Sequence, residues 1–65
     1  MFSTNLRKLR EERGMTQQEL SKLVGVNPSA IGQYEIGIRL PNVAIAAELA
    51  KALGVSVDTL VREAE

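Results

Sequence analysis

Apolar residues recur along the chain at helical spacing, and glycines close the first four of five such runs. Phe2, Leu6 and Leu9 fall at i, i+4 and i+7 with the charges on other faces, which predicts a helix from about Thr4 to Arg13, stopped by Gly14. The second helix is expected over Gln17–Val24, with Leu20, Leu23 and Val24 as its apolar stripe and Gly25 at its end. Thr16-Gln17-Gln18-Glu19 reads as its capping box, in which hydroxyl and carboxylate satisfy free amides reciprocally. The third is expected over Pro28–Glu35, capped by Asn27, with Ile31 and Tyr34 inward and Gly37 closing it. The fourth, Val43–Leu53, is capped by Asn42, carries Ile45, Leu49 and Leu53 on one face beside Ala46 and Ala50, and stops at Gly54. The fifth runs from Val57 to Glu63 behind Ser56, with Asp58 in the first turn, where the helix dipole favours a negative charge, and Leu60 and Val61 inward. Ile36, Ile38 and Leu40 alternate only briefly between Gly37 and Pro41, too short for a strand. The fold class expected is all-α: a compact five-helix domain over residues 4–61.

Only Gly25, Val26 and Asn27 join the second and third helices, which makes them a helix-turn-helix, with motif helices at about 17–24 and 28–35. The geometry places several demands at once. Gly25 must permit the turn and Val26 must plug the angle between the helices. Ser21 supplies a small residue where they approach, and Ile31 and Tyr34 hold the second helix down.

Composition narrows the chemistry. The 65 residues amount to one domain, near the lower limit for a core without staples. There is no cysteine and no histidine, which excludes disulfides, thiolate or imidazole metal sites, and Cys–His nucleophiles. No nucleophile–base pair, Gly-rich phosphate loop or metal set is present, so neither an enzyme nor a cofactor is expected, and no small-molecule ligand is evident. Nothing reads as a signal peptide or approaches the roughly 18–20 apolar residues of a membrane span, so a soluble cytoplasmic protein without membrane contact is expected. The polar end, Glu63-Ala64-Glu65, leaves open that the chain is the first part of a longer one.

Net charge is zero. Residues 1–39 hold six basic against four acidic side chains, and residues 40–65 hold two against four, so the N-terminal part is the mildly positive one.

Thr16-Gln17-Gln18-Glu19-Leu20, Gly25-Val26, Ile31, Tyr34-Glu35, Gly37, Pro41 and Leu53-Gly54-Val55-Ser56 together resemble the phage repressor/Cro family of helix-turn-helix regulators, also called xenobiotic-response-element-type. The resemblance covers about residues 4–61. It implies a lambda-repressor-like domain that binds double-stranded operator DNA as a homodimer, most often as a repressor, associated with the nucleoid when bound. The second motif helix would then lie in the major groove. By the same resemblance the base-reading positions fall at Asn27, Pro28, Ser29, Gly32 and Gln33. A Gln33 amide can pair both ways with adenine N6 and N7; Ser29 discriminates weakly; Pro28 offers only apolar contact and Gly32 only room. Asn27 is as readily a cap alone. Gln17 matches the family's phosphate anchor at a helix N-terminus. Arg10 and Glu35 match an ion pair that positions the recognition helix. Tyr34 is core by its spacing, with a hydroxyl able to reach phosphate, and Arg39 is the charged residue of the following loop.

Three features depart from the family. The recognition helix has no Arg or Lys, the loop Ile36–Pro41 carries one charge, and net charge is zero. Ile36, Ile38 and Leu40 are candidates for a homodimer or partner surface. A protein-interaction module on the same scaffold, antirepressor or antitoxin-like, is the alternative reading.

Overall fold

The computed structural model describes residues 2–61. Within them the chain forms five α-helices: α1 (Phe2–Glu12), α2 (Gln17–Val24), α3 (Pro28–Ile36), α4 (Val43–Leu53) and α5 (Val57–Val61). Arg62, Glu63 and the Glu63-Ala64-Glu65 stretch, with the expected end of the fifth helix, lie outside the described residues. α1 starts two residues before the expected Thr4. Phe2 packs edge-on against Tyr34, ring centroids 6.5 Å apart, a tertiary contact that holds the first turn.

The side-chain caps form where the sequence supplies them. Thr16 Oγ1 accepts the Glu19 amide at 3.0 Å while Glu19 Oε1 accepts the Thr16 amide at 2.8 Å. Asn42 Oδ1 accepts from the Ile45 amide at 2.8 Å, and Ser56 Oγ from the Thr59 amide at 3.0 Å. The two oxygens of the Thr16–Glu19 pair thus satisfy amides that a helix start leaves without partners.

Every helix contributes to one core: Leu6 from α1, Leu20 from α2, Ala30, Ile31 and Tyr34 from α3, Leu49, Ala50 and Leu53 from α4, and Leu60 from α5. Burial of these side chains, at about 1.5–3 kcal/mol for each large one, is the main force opposing chain entropy. α3 packs across α1 and α2, α4 lies against α2, and α5 closes on α1 and α4. Two backbone carbonyls tie α5 and the end of α4 to α1 and the residue after it: Asn5 Nδ2 donates to Leu60 O at 3.1 Å and Arg13 Nε to Leu53 O at 2.6 Å.

Two expected inward residues are exposed. Leu23 is 60% exposed and Val61 48%. The eight-residue α2 has one narrow buried side, taken by Leu20, Ser21 and the partly buried Val24. Leu23 falls to its edge, where it lines a shallow groove with Glu48, Lys51 and Ala52 of α4. Val61 ends the described chain, past the contact that Leu60 makes. Ala30 joins the core instead, because α3 turns its small side chain inward beside Ile31 and Tyr34. No helix among the described residues is long and apolar enough to cross a membrane.

Candidate nucleic-acid interface

The turn between α2 and α3 is built from its backbone. Gly25 adopts φ +83°, the left-handed region that side chains avoid, and its N–H and that of Val26 both donate to Ser21 O, at 2.8 and 3.1 Å. Ser21 is 1% exposed and its hydroxyl donates back to Gln18 O at 2.7 Å, so a polar residue is tolerated where the helices meet. Val26 is half-buried against the core and fills the angle. Ile31 and Tyr34 are both buried and hold α3 from below.

At the start of α3, Asn27 Oδ1 accepts both the amide and the hydroxyl of Ser29, each at 3.0 Å. The cap thus occupies the Asn27 oxygen, and any further contact by this side chain falls to its amide N–H2. Ser29 directs its one hydroxyl proton to Asn27, which leaves an outside partner only its oxygen lone pairs. Pro28 and Ser29 are exposed, and Gln33, one turn further, is half-buried.

Behind this face lies a charged brace. Glu35 accepts Arg10 Nε at 2.6 Å and Arg10 Nη2 at 3.1 Å, a bidentate pair, and Gln17 Nε2 at 3.0 Å. Arg10 Nη1 also donates to Met15 O at 2.6 Å. One carboxylate therefore joins α1, the first turn of α2 and the end of α3. The side chains are well covered, Glu35 at 3% and Arg10 at 11% exposed. The hydrogen bond to Glu35, more than its charge, raises the Arg10 guanidinium further above its ordinary range against the opposing effect of burial, so Arg10 stays charged.

The Gln17 side chain consequently lies over α3 onto Glu35 while staying at the surface, and Gly32 leaves room for it: a Cβ on Gly32 would stand 3.6 Å from Gln17 Oε1. Gln17 can offer an anion its backbone amide, beside that of Gln18, in the first turn of α2, and the Nε2 proton that Glu35 does not take. Glu19 shares that turn as part of the capping box. Hydrogen bonds from the backbone and then the hydroxyl of Thr16 lower its carboxyl below the usual range.

Tyr34 is a core residue, as its spacing indicates: it is 1% exposed, with Phe2 against its edge, so only a sliver of it reaches the surface. Arg39 takes its place at the surface: its guanidinium carbon lies 5.8 Å from the centre of the Tyr34 ring, and Nη1 donates to Gln33 Oε1 at 3.4 Å. Sequence reasoning missed this link between α3 and its loop. The visible signal was the tight turn at Gly37, which returns the chain to Gln33. It also left unnoticed that Gln17, Glu35 and Gly32 form one contact set, for which a helical glycine facing a long polar side chain is the signal.

From the last residue of α3 to the first of α4 the chain exposes a run of aliphatics: Ile36 and Ile38 at 70%, Leu40 at 76% and Val43 at 86%.

Residues 6–60 match the helix-turn-helix family. The chain is 37% identical over 65 residues to the cryptic phage CTXphi transcriptional repressor RstR of Vibrio cholerae, covering 100% of this chain and 59% of that protein. It spans little more than half the length of this and two other curated relatives it matches. Among solved structures it resembles the restriction-modification controller protein C.AhdI from Aeromonas hydrophila, with a TM-score of 0.87 and 34% identity over 91% of this chain and 89% of that one. It also resembles SinR, the master regulator for biofilm formation, solved in complex with DNA, with a TM-score of 0.89 and 27% identity over 95% of this chain and 100% of that one.

Proposed function

The chain belongs to the helix-turn-helix family, and we propose that it is a sequence-specific, double-stranded-DNA-binding transcriptional regulator that acts as a repressor, not an enzyme. α3 enters the major groove with its N-terminal half at the base edges. The observation that carries this reading is the pairing of an exposed α3 start with a rigid brace: Pro28 and Ser29 face outward while Glu35 ties the other end of the helix to Arg10 and Gln17. Rigid elements present side chains to base edges without a further ordering cost. The likeness to the phage repressor RstR and to SinR, solved with DNA, supports the same reading.

Asn27, Pro28, Ser29 and Gln33 read bases; the first-turn amides at Gln17 and the guanidinium of Arg39 hold phosphate. Two copies bind an inverted repeat, with half-sites about 34–36 Å apart. A helix this short touches few bases, and two joined copies multiply the discrimination. The exposed Ile36, Ile38 and Leu40 form the self-association surface in this reading. Binding occludes the operator in the cytoplasm, where DNA is reached.

A selection from a random double-stranded DNA pool at moderate salt tests the proposal. An enriched inverted repeat with one-turn spacing supports it. A folded protein that enriches nothing, and whose binding only weakens with salt, overturns it. The same exposed aliphatics favour the second reading in that event, a protein-interaction module of antirepressor or antitoxin-like character. Ile38→Glu, followed by sedimentation, tests the self-association surface; an unchanged oligomeric state removes it.

A further inference from the structure

We propose that Arg39 is a specificity-determining residue that acts through Gln33, fixing its amide as a donor and turning its preference from adenine to guanine. The inference rests on the reading of α3 as the recognition helix. A free glutamine amide carries a donor and an acceptor side by side, which matches adenine N7 and N6. Gln33 is not free in that sense. Arg39 Nη1 lies 3.4 Å from its Oε1. A guanidinium has only donors, so the atom of Gln33 facing Arg39 is the carbonyl oxygen.

Three further contacts keep Arg39 in this position. Its guanidinium carbon stands 5.8 Å from the centre of the Tyr34 ring, and Tyr34, at 1% exposure, is a fixed platform. The intervening loop is pinned to the same residue: the Gly37 and Ile38 amides donate to Gln33 O at 3.1 and 3.2 Å. Gly37 adopts φ +82°, and the turn it makes brings a residue six positions later back over Gln33.

The chemistry follows from what remains exposed. The carbonyl side of the Gln33 amide is shared with a cation, and its N–H2 side is the part left to a base. The adenine N6 amino group is itself a donor, so it meets the wrong charge beside Arg39. Guanine presents O6 and N7, two acceptors, to the same place. Gln33 with Arg39 therefore reads the acceptor edge of guanine, the discrimination that a recognition helix without Arg or Lys otherwise lacks.

The test uses the purified chain and its variants Gln33→Ala, Arg39→Met and Arg39→Lys, each first confirmed as folded by circular dichroism. Dissociation constants are measured on the selected site with each base pair in turn at the position that Gln33→Ala flattens. The wild type is expected to favour guanine over adenine there by at least about fivefold. Arg39→Met keeps an apolar stem on Tyr34 but no donor, and shifts the preference toward adenine. Arg39→Lys, still a cationic donor, retains guanine. An Arg39→Met variant that weakens every sequence equally makes Arg39 a phosphate contact alone and overturns the inference while the DNA reading stands. Adenine preference in the wild type, or no position flattened by Gln33→Ala, overturns it as well. A wild type that enriches no sequence removes the DNA reading and this inference together.

Discussion

Truncating Glu35 to alanine tests how much of the fold depends on one carboxylate. Glu35→Ala removes the acceptor of two Arg10 hydrogen bonds, at 2.6 and 3.1 Å, and of one from Gln17 at 3.0 Å. It leaves the Arg10 guanidinium, 11% exposed, beneath α3 without its countercharge. Breaking a buried pair in this way costs about 3–5 kcal/mol. The cost here falls at or just below the bottom of that range, for two reasons. The body measures only 28 × 23 × 19 Å, so water is never far and screens the stranded charge. Arg10 also keeps its bond to Met15 O at 2.6 Å and an outer contact with Glu11 at 4.0 Å. A loss of about 2–3 kcal/mol is expected, against a total of about 3–10 kcal/mol for a chain of this length.

Urea unfolding followed by circular dichroism measures it. The midpoint should fall while the slope against urea stays constant, since the surface exposed on unfolding is almost unchanged. In a thermal scan the same loss is a drop of roughly 8–24 °C. The double variant Arg10→Met with Glu35→Leu separates the pair from the site. It replaces two charges with apolar side chains of similar reach and should return to within about 1 kcal/mol of wild type. A Glu35→Ala cost below about 1 kcal/mol, or a double variant as unstable as the two single losses added, would refute the reasoning that stranded charge is the dominant effect.

Other substitutions probe single terms. Gly32→Ala should stabilise the protein by about 0.5–1 kcal/mol, because glycine inside a helix costs that much and the new Cβ meets Gln17 Oε1 at an ordinary 3.6 Å; a lowered urea midpoint would contradict this. Gly25→Ala should cost about 1–2 kcal/mol through backbone strain alone, since φ is +83° and nothing lies within 4 Å of the added Cβ; Gly25→Asn should cost less, and equal costs would point to packing instead. Glu19 has its carboxyl lowered by its bonds to Thr16, so its charged form adds stability above the ordinary carboxylate pKa and loses it as pH falls through the lower folded value. The stability difference between wild type and Glu19→Gln, measured from pH 7 down to pH 3, should therefore shrink toward zero in the acid range; a difference constant with pH would exclude the charge as its source.

The limits of α2 and α4 were legible because each is bounded by a strong local signal. Thr16 or Asn42 stands at one end and Gly25 or Gly54 at the other, and such signals act within a few residues of the backbone they fix. α1 was placed two residues late because its start is held by Phe2 on Tyr34, a contact between residues 32 positions apart that no local pattern encodes. Leu23 was assigned inward by its spacing, yet spacing fixes only a direction around the helix. Whether that direction meets a neighbour depended on how α4 lies, and Leu23 remains mostly exposed. At the site, the Arg10–Glu35 pair was expected from the family resemblance and forms. The side-chain orientation of Gln17 and the link between Arg39 and Gln33 were not legible, because both depend on where two flexible side chains settle after the backbone is built.

Under the proposed function, a neutral protein must bind a polyanion, and the distribution of charge shows how that conflict resolves. The most buried charges cancel among themselves: Arg10 is bound to Glu35 beneath the interface, and neither is free to meet phosphate. Arg7 is paired with Glu11 and Arg13 with Glu12, on the α1 side of the molecule. α3 itself carries no Arg or Lys, and the cation bonded to it is Arg39, so phosphate at this face is left largely to Arg39 and the amide donors at the α2 N-terminus. Amide donors hold a phosphate without neutralising it, and it is neutralisation that releases counterions and gives non-specific affinity. Such a face has little attraction for DNA at large. Its binding must come instead from fit, meaning a helix held rigidly by Glu35, a few directed contacts from Ser29 and Gln33, and a second copy to double them. Low charge thus lowers affinity for every sequence, but it lowers the non-specific background most, and the ratio between the two is what a regulator needs.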